Sequence, residues 1–184
     1  MKLPSPSAAV RSGLLVFPPA GGAFPGRRGD ALPFLIDSRG AGANLRLRRT
    51  IVRGLGALAS AAPEFNVIGG ISKAGTIWAA WLAWAESRPY ATVHLDSPRT
   101  SGLQRSVEGE VAGKRILLVD NWVRSGESVR SAVDVAIQAG AIPIGALAIV
   151  ATGEPDVGVP LQAVWDVGQL LAAAQHARAK ENRR

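Results

Sequence analysis

The residues best suited to chemistry fall in one run, Asp120-Asn121-Trp122-Val123-Arg124-Ser125-Gly126-Glu127-Ser128, directly after the apolar stretch Ile116-Leu117-Leu118-Val119. An acid at the end of an apolar strand, then a turn of small hydroxylated residues opening a helix, is the pattern of an anion site. Backbone N–H groups and the hydroxyls of Ser125 and Ser128 can wrap a phosphate at the positive end of the helix. Arg124 adds charge, and Asp120 can accept hydrogen bonds from a sugar. The same residues fit a plainer arrangement, in which Ser125 only caps the helix and Asp120 only closes the strand. The spacing is neither that of a Walker A loop nor the three-glycine dinucleotide pattern.

Such a turn needs a frame, and the rest of the chain supplies an alternating one. The periodicity predicts a helix over 44–62 stopped by Pro63, a strand over 65–68, a loop over 69–75, a helix over 76–87 and a strand over 90–95. A strand over 115–120, a helix over 126–139 ended by Gly140, and a strand over 142–150 follow. A short strand at 163–165 leads to a helix from Val167 that frays into a basic tail. This order implies an α/β fold with a mostly parallel central sheet flanked by helices, with ligands beyond the carboxyl ends of the strands. The polar stretch 96–113 is too long for a routine connection and reads as a lid. The proline- and glycine-rich residues 1–30 are expected to be irregular, with at most a short strand at 14–17.

With 184 residues, 47% hydrophobic and 19% charged, the chain is that of one folded domain. It has no cysteine, which removes disulfides, thiolate metal sites and cysteine nucleophiles and fits a reducing compartment. Apolar runs fall short of the roughly 20 residues a bilayer span needs, so a cytoplasmic protein without membrane contact is expected. The net charge of +7 and pI of 11.0 favour anionic partners. Basic residues cluster at Arg46, Arg48, Arg49 and Arg53 and again at Arg178, Lys180, Arg183 and Arg184, without interleaved aromatics. Nucleic acid therefore ranks behind a phosphorylated metabolite. The first cluster reads as a solvated helix face or a subunit contact. Trp78, Trp81 and Trp84 read as core or dimer packing, and His94 and His176, without acidic partners at metal-ligand spacing, as structural.

The 116–128 stretch resembles the 5-phosphoribosyl 1-pyrophosphate (PRPP) signature of type I phosphoribosyltransferases, with Asp120, Ser125, Gly126 and Ser128 matching and Asn121 standing where a second acid is usual. Two further segments are similar to the orotate branch of that family. Ile71-Ser72-Lys73-Ala74-Gly75 resembles its pyrophosphate-binding loop, and 96–113 its flexible catalytic loop, with Arg99 where a lysine is usual and Ser101-Gly102 in place of His-Gly. Leu95 and Asp96 stand where the branch carries basic residues, and Ala151-Thr152 where it carries an Asp-Arg pair whose arginine meets the base. Pro33-Phe34-Leu35-Ile36-Asp37-Ser38-Arg39, followed by Leu47-Arg48-Arg49, resembles the opening strand and first helix.

The resemblance implies a type I phosphoribosyltransferase fold in which 1–32 and 153–184 form a small hood. It implies transfer from Mg²⁺-bound PRPP to a nucleobase, orotate first, with no metal cage of the protein's own, in a homodimer. Asp120 and Asn121 would hold the ribose, with Trp122 flanking that pocket. Arg124, Ser125, Gly126, Glu127 and Ser128 would take the 5-phosphate, and Ile71 to Gly75 with Arg99 the pyrophosphate. Asp120, Lys73 and Arg99 would be catalytic. A PRPP-sensing protein with a degenerate site and an enzyme for another base are the alternatives.

Overall fold

Apolar runs alternating with amphipathic stretches bury both kinds of face only as a sheet covered by helices on each side. The computed structural model describes residues 3–26, 29–95 and 105–181. In chain order they form α1 (Pro6–Arg11), β1 (Leu15–Val16), β2 (Phe24–Pro25), β3 (Ala31–Leu32), β4 (Leu35–Ile36), α2 (Ser38–Ala43), α3 (Leu45–Ala61), β5 (Val67–Ile71) and α4 (Gly75–Ala85). Then come β6 (Tyr90–Val93), β7 (Val107–Glu108), β8 (Arg115–Val123), α5 (Glu127–Gln138), β9 (Ile142–Ala151), β10 (Leu161–Asp166) and α6 (Val167–Glu181). Six strands make the central sheet in the order β10-β9-β8-β5-β6-β7, parallel except for the β6–β7 pair.

The period-two alternation of β8 divides the core. Leu117 and Val119 pack with α3, α4 and α6 through Ile51, Leu55, Trp78 and Leu170, while Ile116 and Leu118 pack under α5 through Val129, Ala132 and Ala136. Asn44 caps α3 by accepting from Leu47 N–H at 3.1 Å.

Several expectations need correction. The strand expected at 65–68 runs over Val67–Ile71, so Gly69 and Gly70 are central strand rather than loop. They are there because the space is filled by others. A Cβ on Gly69 would lie 2.6 Å from Ile116 Cδ1, and one on Gly70 would lie 2.7 Å from Thr76 Cα and 2.9 Å from Ala79 Cβ. Gly70→Ala should therefore force α4 off the sheet and cost about 1–3 kcal/mol, read as a lower urea midpoint at unchanged slope. Strand β8 continues past Asp120 to Val123 because pairing with β9 continues, Asp120 opposite Ala148 and Val123 opposite Ala151.

The N-terminal arm is more ordered than its prolines suggest. Pro6 sits in the first turn of α1, where its missing N–H costs nothing, and β1 pairs with β4 and β2 with β3. Within 153–184, β10 joins the edge of the central sheet and α6 packs on α1; Trp165 Nε1 donates to Pro4 O at 2.7 Å. The end of the expected lid is also anchored, since β7 pairs with β6 and Val107 and Val111 are buried. The tryptophans divide by helical angle. Trp78 is buried and meets Trp81 edge-on at 4.9 Å, whereas Trp84 is 86% exposed. Among the described residues no helix is long and apolar enough to cross a membrane.

Candidate active site

Parallel strands β5 and β8 are neighbours, so the turns leaving their carboxyl ends open side by side. Between them is a cavity of about 770 Å³ lined by Ser72, Lys73 and Ala74 on one side and by residues 120–129 and Ser131 on the other, with Leu95 and Arg39 completing the wall. Most of the residues singled out in the sequence therefore meet in one place. Two do not line it: Ile71 is buried in the core under α5, and Gly75 opens α4 where an added Cβ would run into Val119 O and Asp120 Cα. Arg99 lies outside the described residues.

On the β5 side, Ser72 N–H donates to Val93 O at 3.0 Å and Ser72 Oγ accepts from Leu95 N–H at 3.3 Å, which pins the turn to β6. The Ser72–Lys73 peptide is cis. Lys73 is exposed to the cavity.

On the β8 side, Asp120 is buried, and burial raises its pKa to about 6 against the opposing pull of the Asn121 N–H, which donates to Oδ1 at 2.7 Å. Asn121 Nδ2 donates to Ser38 Oγ at 3.0 Å, tying this strand to the first turn of α2 from 83 residues away. The turn into α5 rests on Gly126, whose φ of +79° is left-handed and whose Cβ would lie 2.7 Å from Val157 Cγ1. Gly126 is the N-cap and no side-chain bond closes the helix, so Ser125 is not the cap. The first-turn amides of α5 thus adjoin a cavity lined by Ser125 and Ser128. Arg130 braces the turn from behind, donating to Ser125 O at 3.2 Å and to Asp156 O.

A cover closes the far side. Arg124 Nη2 pairs with Asp30 Oδ2 at 2.6 Å, and its guanidinium lies 5.4 Å from the Trp122 ring, which in turn meets Phe34 at 5.8 Å. Trp122 Nε1 donates to Thr152 Oγ1 at 3.0 Å. A phosphate reaching Arg124 must compete with Asp30. Asp30→Asn is therefore expected to tighten inorganic phosphate binding about two- to fivefold, measured by calorimetry, the small factor reflecting a half-exposed pair. His94 lies away from the cavity, 3.4 Å from Glu108 across the β6–β7 edge.

Arg39 is the lining residue that sequence reasoning missed as a site residue. Nothing in its local spacing marks it; only the long-range Ser38–Asn121 bond brings its helix to the site. Val129 and Ser131 likewise enter only through the geometry of the helix that carries them, whereas the position of Leu95 was marked in the sequence by the basic residue it replaces.

Comparison with known proteins bears on the same region. No family model matches the chain. It is 31% identical over 152 residues to an orotate phosphoribosyltransferase of Streptococcus pneumoniae, covering 78% of this chain and 72% of that protein. It is 36% identical over 115 residues to the Mycobacterium avium enzyme of that name, covering 58% of this chain and 64% of that protein. Among solved structures, orotate phosphoribosyltransferase from Aeropyrum pernix superposes with a TM-score of 0.78 at 21% identity, covering 92% of this chain and 97% of that one. The Mycobacterium tuberculosis enzyme in complex with PRPP gives 0.68 at 21%, covering 91% and 99%. The expected type I phosphoribosyltransferase fold is the one observed, and with sequence identity spread over most of its length the chain belongs to the orotate phosphoribosyltransferase family.

Proposed function

We propose that this chain transfers the 5-phosphoribosyl group of PRPP to a ring nitrogen of orotate, releasing pyrophosphate. One observation carries the reading: the turns after β5 and β8 converge on one cavity that offers a helix N-terminus, a buried carboxylate and Lys73. These are the three things a sugar with a phosphate at one end and a pyrophosphate at the other requires. The residues from Arg124 to Ser128 take the 5-phosphate, Asp120 and Asn121 the ribose hydroxyls, and Ser72, Lys73 and Ala74 the pyrophosphate; Arg99 adds a further cation to that end.

In the reaction the bond from the anomeric carbon to the pyrophosphate oxygen breaks, its electron pair leaving with pyrophosphate. The bond to the acceptor nitrogen forms with loss of that nitrogen's proton. Positive charge grows on the sugar and negative charge on the leaving group. The protein's work is therefore electrostatic, with Asp120 facing the first and Lys73 the second. Mg²⁺ fits as an ion that arrives on PRPP, neutralising pyrophosphate, with a carboxylate oxygen of Asp120 and the amide oxygen of Asn121 as hard donors at hand.

A homodimer completes the reading. Ile77, Trp81 and Trp84 form a stripe at i, i+4 and i+7 on α4, with Ile77 46% and Trp84 86% exposed, directly after the turn that carries Lys73. The cavity, drawing on residues from both halves of the chain, supports one domain, and the absence of cysteine suits the cytoplasm.

The test is incubation with Mg-PRPP and orotate beside other free bases, with products identified by mass spectrometry. Orotidine monophosphate with equimolar pyrophosphate is expected. A different nucleotide would reassign the acceptor, and PRPP binding without product would turn the reading to a PRPP sensor.

A further inference from the structure

We infer that Arg39 receives the carboxylate of the acceptor and so selects an anionic pyrimidine over a neutral one. The inference rests on the reaction proposed above. Its substrates bring three anionic groups into one cavity: the 5-phosphate, the pyrophosphate and the carboxylate of orotate. Among the described lining residues the side-chain cations are Arg39, Lys73 and Arg124. Lys73 belongs to the turn after β5 and Arg124 to the turn after β8, where Asp30 already holds it at 2.6 Å. Arg39 belongs to neither turn. It comes from α2, on the covering side, and among the described residues it makes no hydrogen bond, ion pair or ring contact.

Its position is nevertheless fixed. The preceding residue, Ser38, is buried and accepts from Asn121 Nδ2 at 3.0 Å, which sets α2 against the strand that carries Asp120. The nearest acid in sequence, Asp37, is spent on the backbone, accepting from Gly40 N–H at 2.8 Å. Just past the end of β9, Thr152 supplies a hydroxyl engaged by the Trp122 indole and no cation. An unpartnered guanidinium on a pinned helix, beside the ribose-binding strand and apart from both phosphate turns, is a receptor for one further anion. Its planar fork matches a carboxylate bidentately. A ring without that carboxylate leaves the guanidinium unanswered and is rejected on that account.

The experiment compares wild type with Arg39→Met and Arg39→Lys. It measures KM for orotate at saturating PRPP, the rate with uracil, and the Kd of Mg-PRPP by calorimetry. Arg39 is exposed, so the Met variant should melt where wild type does. Expected is a rise of about ten- to a hundredfold in KM for orotate in Arg39→Met, with the Kd of PRPP unchanged. The preference for orotate over uracil should fall by the same factor, and Arg39→Lys should recover part of it. A weaker PRPP Kd with orotate KM unchanged would move Arg39 to the donor and overturn the inference, as would no change in either. A wild-type chain that binds PRPP yet makes nothing from orotate would instead defeat the reaction, a failure visible before any variant is made, and the role of Arg39 with it.

Discussion

Lys73→Ala is expected to lower kcat/KM by a factor on the order of 100 to 1,000 while the melting temperature stays within a degree or two of wild type. The residue is exposed, stands at the tip of the turn between β5 and α4, and takes no part in the core. Its charge matters most when the pyrophosphate oxygen has begun to carry the electron pair of the breaking bond. Removing one preorganised partner of a developing anion costs about 2.7–4 kcal/mol of barrier. Steady-state kinetics with Lys73→Ala and Lys73→Arg decide the matter. Arginine should restore part of kcat, because it keeps charge but not the compact geometry of an ammonium. A loss confined to KM for orotate would place Lys73 elsewhere in the reaction.

Asp120→Asn should produce opposite effects on stability and activity. Burial holds the Asp120 carboxyl at about 6 in the folded chain, against the ordinary value of 3.8. The native state therefore holds that proton more tightly than the unfolded state does. The corresponding stability is fully present below pH 3.8, and it is lost as pH rises through about 6. The difference amounts to about 3 kcal/mol at pH 7. Asparagine cannot ionise and keeps an oxygen for the Asn121 N–H, so the variant should melt about 6–12 °C higher at pH 7 and match wild type near pH 4. Activity should fall about a hundredfold, because the charge facing the sugar is gone. In wild type, PRPP affinity should rise with pH through about 6; in the variant that step should vanish. Thermal melts and calorimetric titrations from pH 4 to 8 read both effects, and a variant no more stable than wild type at pH 7 would show that the buried carboxylate is not the cost assigned to it.

Much of this site was legible in the sequence because its parts are local. Ser72, Lys73 and Ala74 are consecutive, as are the residues from Asp120 to Ser128, and apolar periodicity alone put each group at the end of a strand. The mostly parallel sheet followed from the same alternation, whereas the order of its strands did not. What the sequence concealed was non-local. Gly69 and Gly70 read as loop because their reason for being small lies in Ile116 and α4, across the sheet and after the turn. Trp84 shares its helix and residue type with Trp78 and yet faces outward, a matter of angle that spacing expresses only once the buried face is known. Arg39 was invisible as a site residue for the same reason, since the contact that brings it in is made by its neighbour. The proline-rich arm misled in the other direction: Pro6 begins a helix because it stands at the one helical position that tolerates it.

The bond from Trp165 to Pro4 spans 161 residues, and that from Asn121 to Ser38 spans 83. By contrast, β8 meets β5 across a separation of 49 between Arg115 and Asn66. Closing a loop costs entropy that grows with its length, so the sheet can assemble before the arm that covers it. During synthesis the arm emerges before the residues that anchor it. Leu14 and Ala9, buried at the end, must wait with their apolar surface exposed until α6 has left the ribosome. The cover over the cavity is thus made before its anchors and settles after them, and catalytic competence during refolding should lag behind the recovery of helical signal.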